Sequence, residues 1–155
     1  MQINQVLIRP ANPNDIYNII KLIQLKAEFD GCVEFVEATP KKIENTLFCD
    51  NPLAFVLLAE IKKEQIGFAT YHWIYSTFLA QPGIWLDDLY IKGEYRSNGI
   101  GEMLIKKLYQ IAQSKGCGRI DWTVAATNAP AIKFYERMGA RIQQDVRLCR
   151  LNVVV

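Results

Sequence analysis

Apolar residues along this chain keep two different spacings, and the switches between them outline the elements. VLIRP, Val6 to Pro10, is a short β-rich run stopped by proline, which predicts a strand. Behind Asn14 or Asp15 as an N-cap, Ile16, Ile19, Ile20, Ile23 and Ala27 recur at helical spacing. TPKKIENTLFC sets Thr39 as a cap, Pro40 at the first helical position and Ile43 with Leu47 on one face, so a second helix is expected. AFVLLAEI and QIGFATYHWIYS are β-rich on either side of the polar turn KKEQ, which makes a hairpin. GIWLDDLYIK, entered through Pro82 and Gly83, is a further strand. From about Gly99 to Lys115 a helix shows the stripe Ile100, Leu104, Leu108 and Ile111. RIDWTV reads as a strand, APAIKFYERMG as a short helix ending at Gly139, and RIQQDVRLCRL as one or two final strands. No repeat, linker or low-complexity segment interrupts this order. The pattern predicts one domain over residues 1–155, of α/β (α+β) class, with a mainly antiparallel sheet and one strand–glycine loop–helix crossover.

Charge and cysteines narrow the field. A net charge of +2 without a block of basic residues gives no nucleic-acid signature. Cys32, Cys49, Cys117 and Cys149 form no C-x-x-C pair and no metal-like spacing with His72, so reduced, mostly buried thiols in a cytoplasmic protein are expected, with no metal. His72, alternating with Thr70 and Ile74 beside Trp73, reads as a hydrogen-bonded core residue. MQINQVLIRP lacks the layout of a signal peptide, and no apolar run approaches the roughly 18 residues of a membrane helix.

The stretch EYRSNGIGEML, Glu94 to Leu104, carries the chemistry. A helix that opens at a glycine turn points free N–H groups and the positive end of its dipole forward, which suits a phosphate or pyrophosphate. Arg96 adds a cation. The P-loop is excluded because Glu102 and Met103 follow Gly101, and the G-x-G-x-x-G fingerprint because its third glycine is Leu104. A tight turn without a ligand is the plain alternative.

YRSNGIG places Arg96, Gly99 and Gly101 on the pattern Gln-or-Arg, x, x, Gly, x, Gly-or-Ala. With LIRPANPNDIYNIIKLI, LDDLYI and NAPAIKFYERMGA around it, the chain resembles the GNAT superfamily of N-acetyltransferases over about Val6 to Leu151. AEFD, IGFATYHWIYSTF and PGIWLDDLYI are similar to its diamine branch, the spermidine/spermine and thialysine acetyltransferases.

That resemblance implies a GNAT-like fold with two splayed central strands, acetyl-CoA as co-substrate and direct attack by an amine. The backbone of Leu89, Tyr90 and Ile91 would bind the pantetheine arm. The N–H groups of Ser97, Asn98, Gly99, Ile100, Gly101 and Glu102, with Arg96 beside them, would hold the pyrophosphate. Asn128 and Ala131 would touch the cofactor, Ala131 standing where the relatives carry serine. Tyr135 would lie next to the thioester sulfur and assist the leaving thiolate.

Asp87 takes the place of the branch's glutamate as base, one methylene shorter, so a water relay is expected. Asp87 and Asp88, being consecutive on a strand, should face opposite sides. Phe29 and Asp30 match a substrate-contacting pair, in a stretch where Glu28, Asp30, Glu34 and Glu37 have no basic residue among them. Such acidity would attract polycationic amines. The acceptor stays open among a polyamine, a short diamine and a lysine-like amino acid, with a protein or antibiotic amine as a further option. A non-catalytic coenzyme A sensor is the alternative class. The branch is dimeric, and the apolar end LNVVV suits a subunit contact, so a homodimer is expected.

Overall fold

The computed structural model describes residues 5–153. Met1–Asn4 and Val154–Val155, on which part of the N-terminal reading and the end of LNVVV fall, lie outside the described residues. The chain divides into two compact units, Met1–Trp122 and Thr123–Val155.

The first unit holds a five-stranded sheet in the order β1 (Val6–Pro10), β2 (Phe55–Ile61), β3 (Glu64–Ser76), β4 (Gln81–Ile91) and β5 (Ile120–Asp121). The first four strands pair antiparallel; β5 pairs parallel with β4. The β2–β3 turn is shorter than the expected KKEQ. Lys62 and Lys63 alone make it, both left-handed at φ 48° and 70°, while Glu64 and Gln65 pair with Ile61 and Glu60. Two left-handed residues match the twist of the strands, and so close the hairpin tightly.

Helices cover both faces. α1 (Ile16–Asp30) buries Ile19 and Leu22 against Val56, Leu58, Phe68 and Tyr90. α3 (Ile100–Ser114) buries Ile100, Leu104, Leu108 and Ala112 against Leu57, Ala59, Ala69, Tyr71, Ile84 and Leu86. Ala112 thus takes the inward place expected of Ile111, which is half-buried. Burying one such leucine or isoleucine contributes about 1.5–3 kcal/mol. α2 (Pro40–Leu47) starts as expected, with Thr39 Oγ1 accepting from Lys42 N at 3.2 Å.

At the β1–α1 junction Asp15 stands at the N-cap position of α1, one of the two residues expected there, but its side chain makes no capping bond to that helix. Asn12 caps the 3-10 turn before it, Pro13–Asp15, its Oδ1 accepting from Asn14 N at 3.0 Å. Asp15 is drawn back instead, accepting from Asn12 N at 2.8 Å and from both terminal nitrogens of Arg9 at 2.8 Å. Arg9 also meets Glu60 at 2.7 Å. Hydrogen bonding to Arg9 holds the Asp15 carboxyl below its ordinary value, against the effect of burial.

The expected strand RIDWTV is reduced to Ile120–Asp121, paired only to Ile84 and Trp85. In the second unit α4 spans Ala129–Arg137, capped by Asn128, whose side chain accepts from Ala131 N at 3.2 Å. Gly139 follows with φ 89°, the left-handed conformation that ends a helix. Among the described residues 141–151 form no strand, against expectation, because this unit offers no other strand to pair with.

No described cysteine is buried: Cys49 and Cys149 are exposed, Cys32 and Cys117 half-buried, and all four are free thiols. This corrects the expected burial. His72 is half-buried and makes no side-chain hydrogen bond among the described residues, so it is not the bonded core residue expected. No helix among the described residues is long and apolar enough to cross a membrane.

Candidate active site

Strand β4 runs into α3 through a 3-10 turn, Gly93–Tyr95, and the glycine stretch. Ser97 and Gly99 are both left-handed, at φ 61° and 75°. Asn98 Nδ2 donates to the carbonyls of Tyr95 at 3.2 Å and Arg96 at 2.8 Å, which fixes the loop from within. The first helical bond is Met103 N to Gly99 O at 3.0 Å. The N–H groups of Ile100, Gly101 and Glu102 therefore have no helical acceptor, and no side chain caps them. A Cβ built on Gly99 would meet no atom within 4 Å. Open amides, the helix dipole and room in front of the backbone fit the pyrophosphate of acetyl-CoA.

Arg96 does not reach out as a lone cation. Its Nε donates to Ile91 O at 2.8 Å, and its guanidinium carbon lies 4.1 Å from the Phe29 ring centroid and 5.3 Å from that of Tyr90. Phe29 and Tyr90 are themselves 6.3 Å apart, centroid to centroid. Phe29, read from sequence as a substrate contact, is thus also the seat of Arg96, a cation–π contact across α1 and the loop. The Ile91 carbonyl, expected to serve the pantetheine arm, is taken by Arg96.

On β4 the pairing with β3 skips a residue: Thr70 faces Asp88 and Tyr71 faces Leu86, so Asp87 is the extra residue of a β-bulge. The bulge resets the alternation. Ile84 and Leu86 before it, and Leu89 and Ile91 after it, pack on the α3 face, while Tyr90 packs on the α1 face. The two aspartates therefore do not simply alternate as on a regular strand. Asp87 is exposed and makes no ion pair or hydrogen bond among the described residues. Pairing of β4 with β5 stops just before the bulge, at Trp85, where β5 itself ends. From Leu86 to Ile91 that edge of β4 is not used by β5.

Asp88 is engaged. It accepts from Thr70 Oγ1 at 3.0 Å and meets Lys26 Nζ at 3.1 Å. The same ammonium bonds Asp30 at 2.5 Å. Burial disfavours the charged lysine, but the bond to Asp30 and the charge of Asp88 outweigh it and raise its pKa above the ordinary value. The acidic stretch is thus partly neutralised in three dimensions: Lys42 also reaches Glu37, at 3.2 Å. Sequence reasoning missed Lys26 and Thr70. The four-residue spacing from Lys26 to Asp30 was a signal for the first pair; nothing local announced Asp88.

In the second unit Tyr135 is buried on α4 at 9% exposure, its ring 5.2 Å from that of Phe134. Asn128 and Ala131 are joined by the capping bond, so the Asn128 carbonyl and the Ala131 amide serve the helix start.

The first unit thus combines a strand that β5 leaves unpaired beyond Trp85, an exposed carboxylate on a bulge of that strand, and open amides at the start of the helix that follows. The acetyltransferase (GNAT) family matches residues 18–140, and the chain belongs to that family. A thialysine N-ε-acetyltransferase of Sus scrofa is 35% identical over 144 residues, 88% of this chain and 84% of the relative. An L-ornithine N5-acetyltransferase of Arabidopsis thaliana is 29% identical, over 94% of this chain and 83% of the relative. Among solved structures, an aminoglycoside acetyltransferase from an uncultured soil metagenomic sample has a TM-score of 0.86 at 19% identity, covering 99% of this chain and all of that one, a likeness of fold. The chain is an acetyl-CoA-dependent N-acetyltransferase that moves the acetyl group to an amine, as its sequence led us to expect.

Proposed function

We propose that the acceptor is the primary amine of a small molecule, a lysine-like amino acid, diamine or polyamine, and that Asp87 prepares it for attack. The observation that carries this reading is the exposed, unpaired Asp87 on the bulge where β4 parts from β5. An ammonium has no lone pair, so attack requires loss of a proton, and this carboxylate accepts it through a water. The amine nitrogen then bonds the acetyl carbon, the carbon–sulfur bond breaks as the thiolate takes the Tyr135 hydroxyl proton, and the nitrogen gives up its second proton through water, which restores the Tyr135 hydroxyl and leaves the neutral amide. Leu89 and Tyr90 supply main-chain groups to the pantetheine arm, the loop from Ser97 to Glu102 supplies amides to the pyrophosphate, and Asn128 and Ala131 contact the cofactor. The thialysine and ornithine enzymes named above both modify a side-chain amine of an amino acid, which supports a lysine-like acceptor.

In this reading both compact units act as one acetyltransferase domain, working as a cytoplasmic homodimer. Tyr135→Phe keeps the ring and removes only the hydroxyl. In a thiol-release assay with a panel of amines we expect kcat to fall by about tenfold or more with little change in acetyl-CoA affinity. Unchanged turnover would leave Tyr135 as a packing residue.

A further inference from the structure

The acceptor side of the first unit contains a charge that the function above does not use. Lys26, on the last turns of α1, places one ammonium between Asp30 at 2.5 Å and Asp88 at 3.1 Å. All three side chains are partly open, with exposures of 26%, 38% and 26% for Lys26, Asp30 and Asp88. A small ligand can therefore reach them. The arrangement is what a protein offers to a ligand's ammonium, two carboxylates converging on one cation, except that the protein supplies the cation itself. Asp88 is also fixed by the Thr70 hydroxyl, so it is held in place while Lys26 occupies it. Next in sequence to Asp88 stands Asp87, with no counter-ion among the described residues. Of the three carboxylates Asp30, Asp87 and Asp88, Lys26 engages two, which leaves Asp87 for an acceptor's ammonium.

We propose that Lys26 is a specificity-determining residue, an internal counter-ion that fills the place of a second acceptor cation. The site thereby favours acceptors whose far end carries no net positive charge, such as an amino-acid zwitterion, over a free diamine. The proposal rests on Asp87 marking the acceptor site. A diamine has to compete with a tethered ammonium for Asp30 and Asp88, at the cost of leaving that lysine without its partners.

The test uses the full chain and three acceptors: butylamine, diaminobutane and lysine. Lys26→Gln removes the charge, and Lys26→Met keeps the apolar stem in case packing matters. We expect either variant to raise the ratio of kcat/KM for diaminobutane over butylamine by about three- to tenfold, the range for a partly exposed charge. Lys26→Arg should restore the original ratio, and acetyl-CoA affinity by calorimetry should not move. A folded Lys26→Gln with an unchanged ratio would overturn the proposal and leave Lys26 as a tie between α1 and β4. The salt dependence gives an independent check. In Lys26→Gln the kcat/KM for diaminobutane should fall with salt more steeply than in the wild type, because the site then holds one cation fewer, and an unchanged slope would also overturn the proposal. Asp87→Asn separates the two readings. If butylamine turnover survives that change, the acceptor site itself is misplaced, whatever the Lys26 ratio does.

Discussion

Two strand-to-helix junctions of the first unit solve the same problem in opposite ways. Where β1 meets α1, Asn12 caps Asn14, Asp15 returns a bond to Asn12, and Arg9 clamps Asp15 to Glu60. Where β4 meets α3, no side chain caps the helix, two residues are left-handed, and the Asn98 side chain binds carbonyls and leaves the amides open. Backbone donors at a helix start have to be satisfied by something. At the first junction the protein supplies its own acceptors. At the second it leaves them open, with two residues in the left-handed region, and in the proposed reading the pyrophosphate satisfies them. On that reading the first junction serves stability and the second serves binding.

Breaking the closed junction should have the largest effect. Asp15→Asn removes a carboxylate that is only 6% exposed and leaves Arg9 half-paired, so we expect a loss of about 3 kcal/mol in denaturant unfolding, with acetyl-CoA affinity unchanged. The sign with pH follows from the depressed pKa of Asp15. Its contribution is complete above the ordinary carboxylate range and is lost as pH falls through its lower folded value. The stability gap between wild type and variant should therefore be full at neutral pH and close in acid.

At the open junction the readouts should exchange. Gly99→Val fills the space in front of the amides, and calorimetric acetyl-CoA affinity should fall about tenfold or more. The left-handed backbone adds a stability loss of about 1–2 kcal/mol. Affinity equal to wild type in the folded variant would remove the pyrophosphate from this turn.

The smallest effect sharpens the comparison. Ser97→Gly relieves a left-handed serine but frees the unfolded chain, so a net gain of only about 0.5 kcal/mol is expected. Thermal unfolding would measure it, and acetyl-CoA binding should stay the same because the amide remains. A loss of stability would mean that the serine side chain does more than occupy a strained position.

Much of this was legible beforehand where the cause was local. The periodicity of α1 and α3, the Thr39–Pro40 start of α2 and the left-handed Gly139 after α4 each depend on residues a few positions apart. The candidate site was legible in its glycine turn, since Arg96, Gly99 and Gly101 are neighbours in the chain. The reading failed where a partner was needed. RIDWTV has strand composition, yet only Ile120 and Asp121 find β4 beside them. The closing segment RIQQDVRLCRL has strand composition too and pairs with nothing among the described residues.

The carboxylates show the same division at the scale of single side chains. Sequence alone determined that Asp30, Asp87 and Asp88 exist, that two are adjacent, and that a glycine turn follows the strand bearing them. Which of them is free was decided in three dimensions. The register of β3 against β4 made Asp87 the bulged residue, and the crossing of α1 over that face brought Lys26 from 62 positions away onto Asp88. A periodicity records what a residue's neighbours in the chain demand. A charge is neutralised by whatever lies within a few ångströms, and only folding chooses that partner.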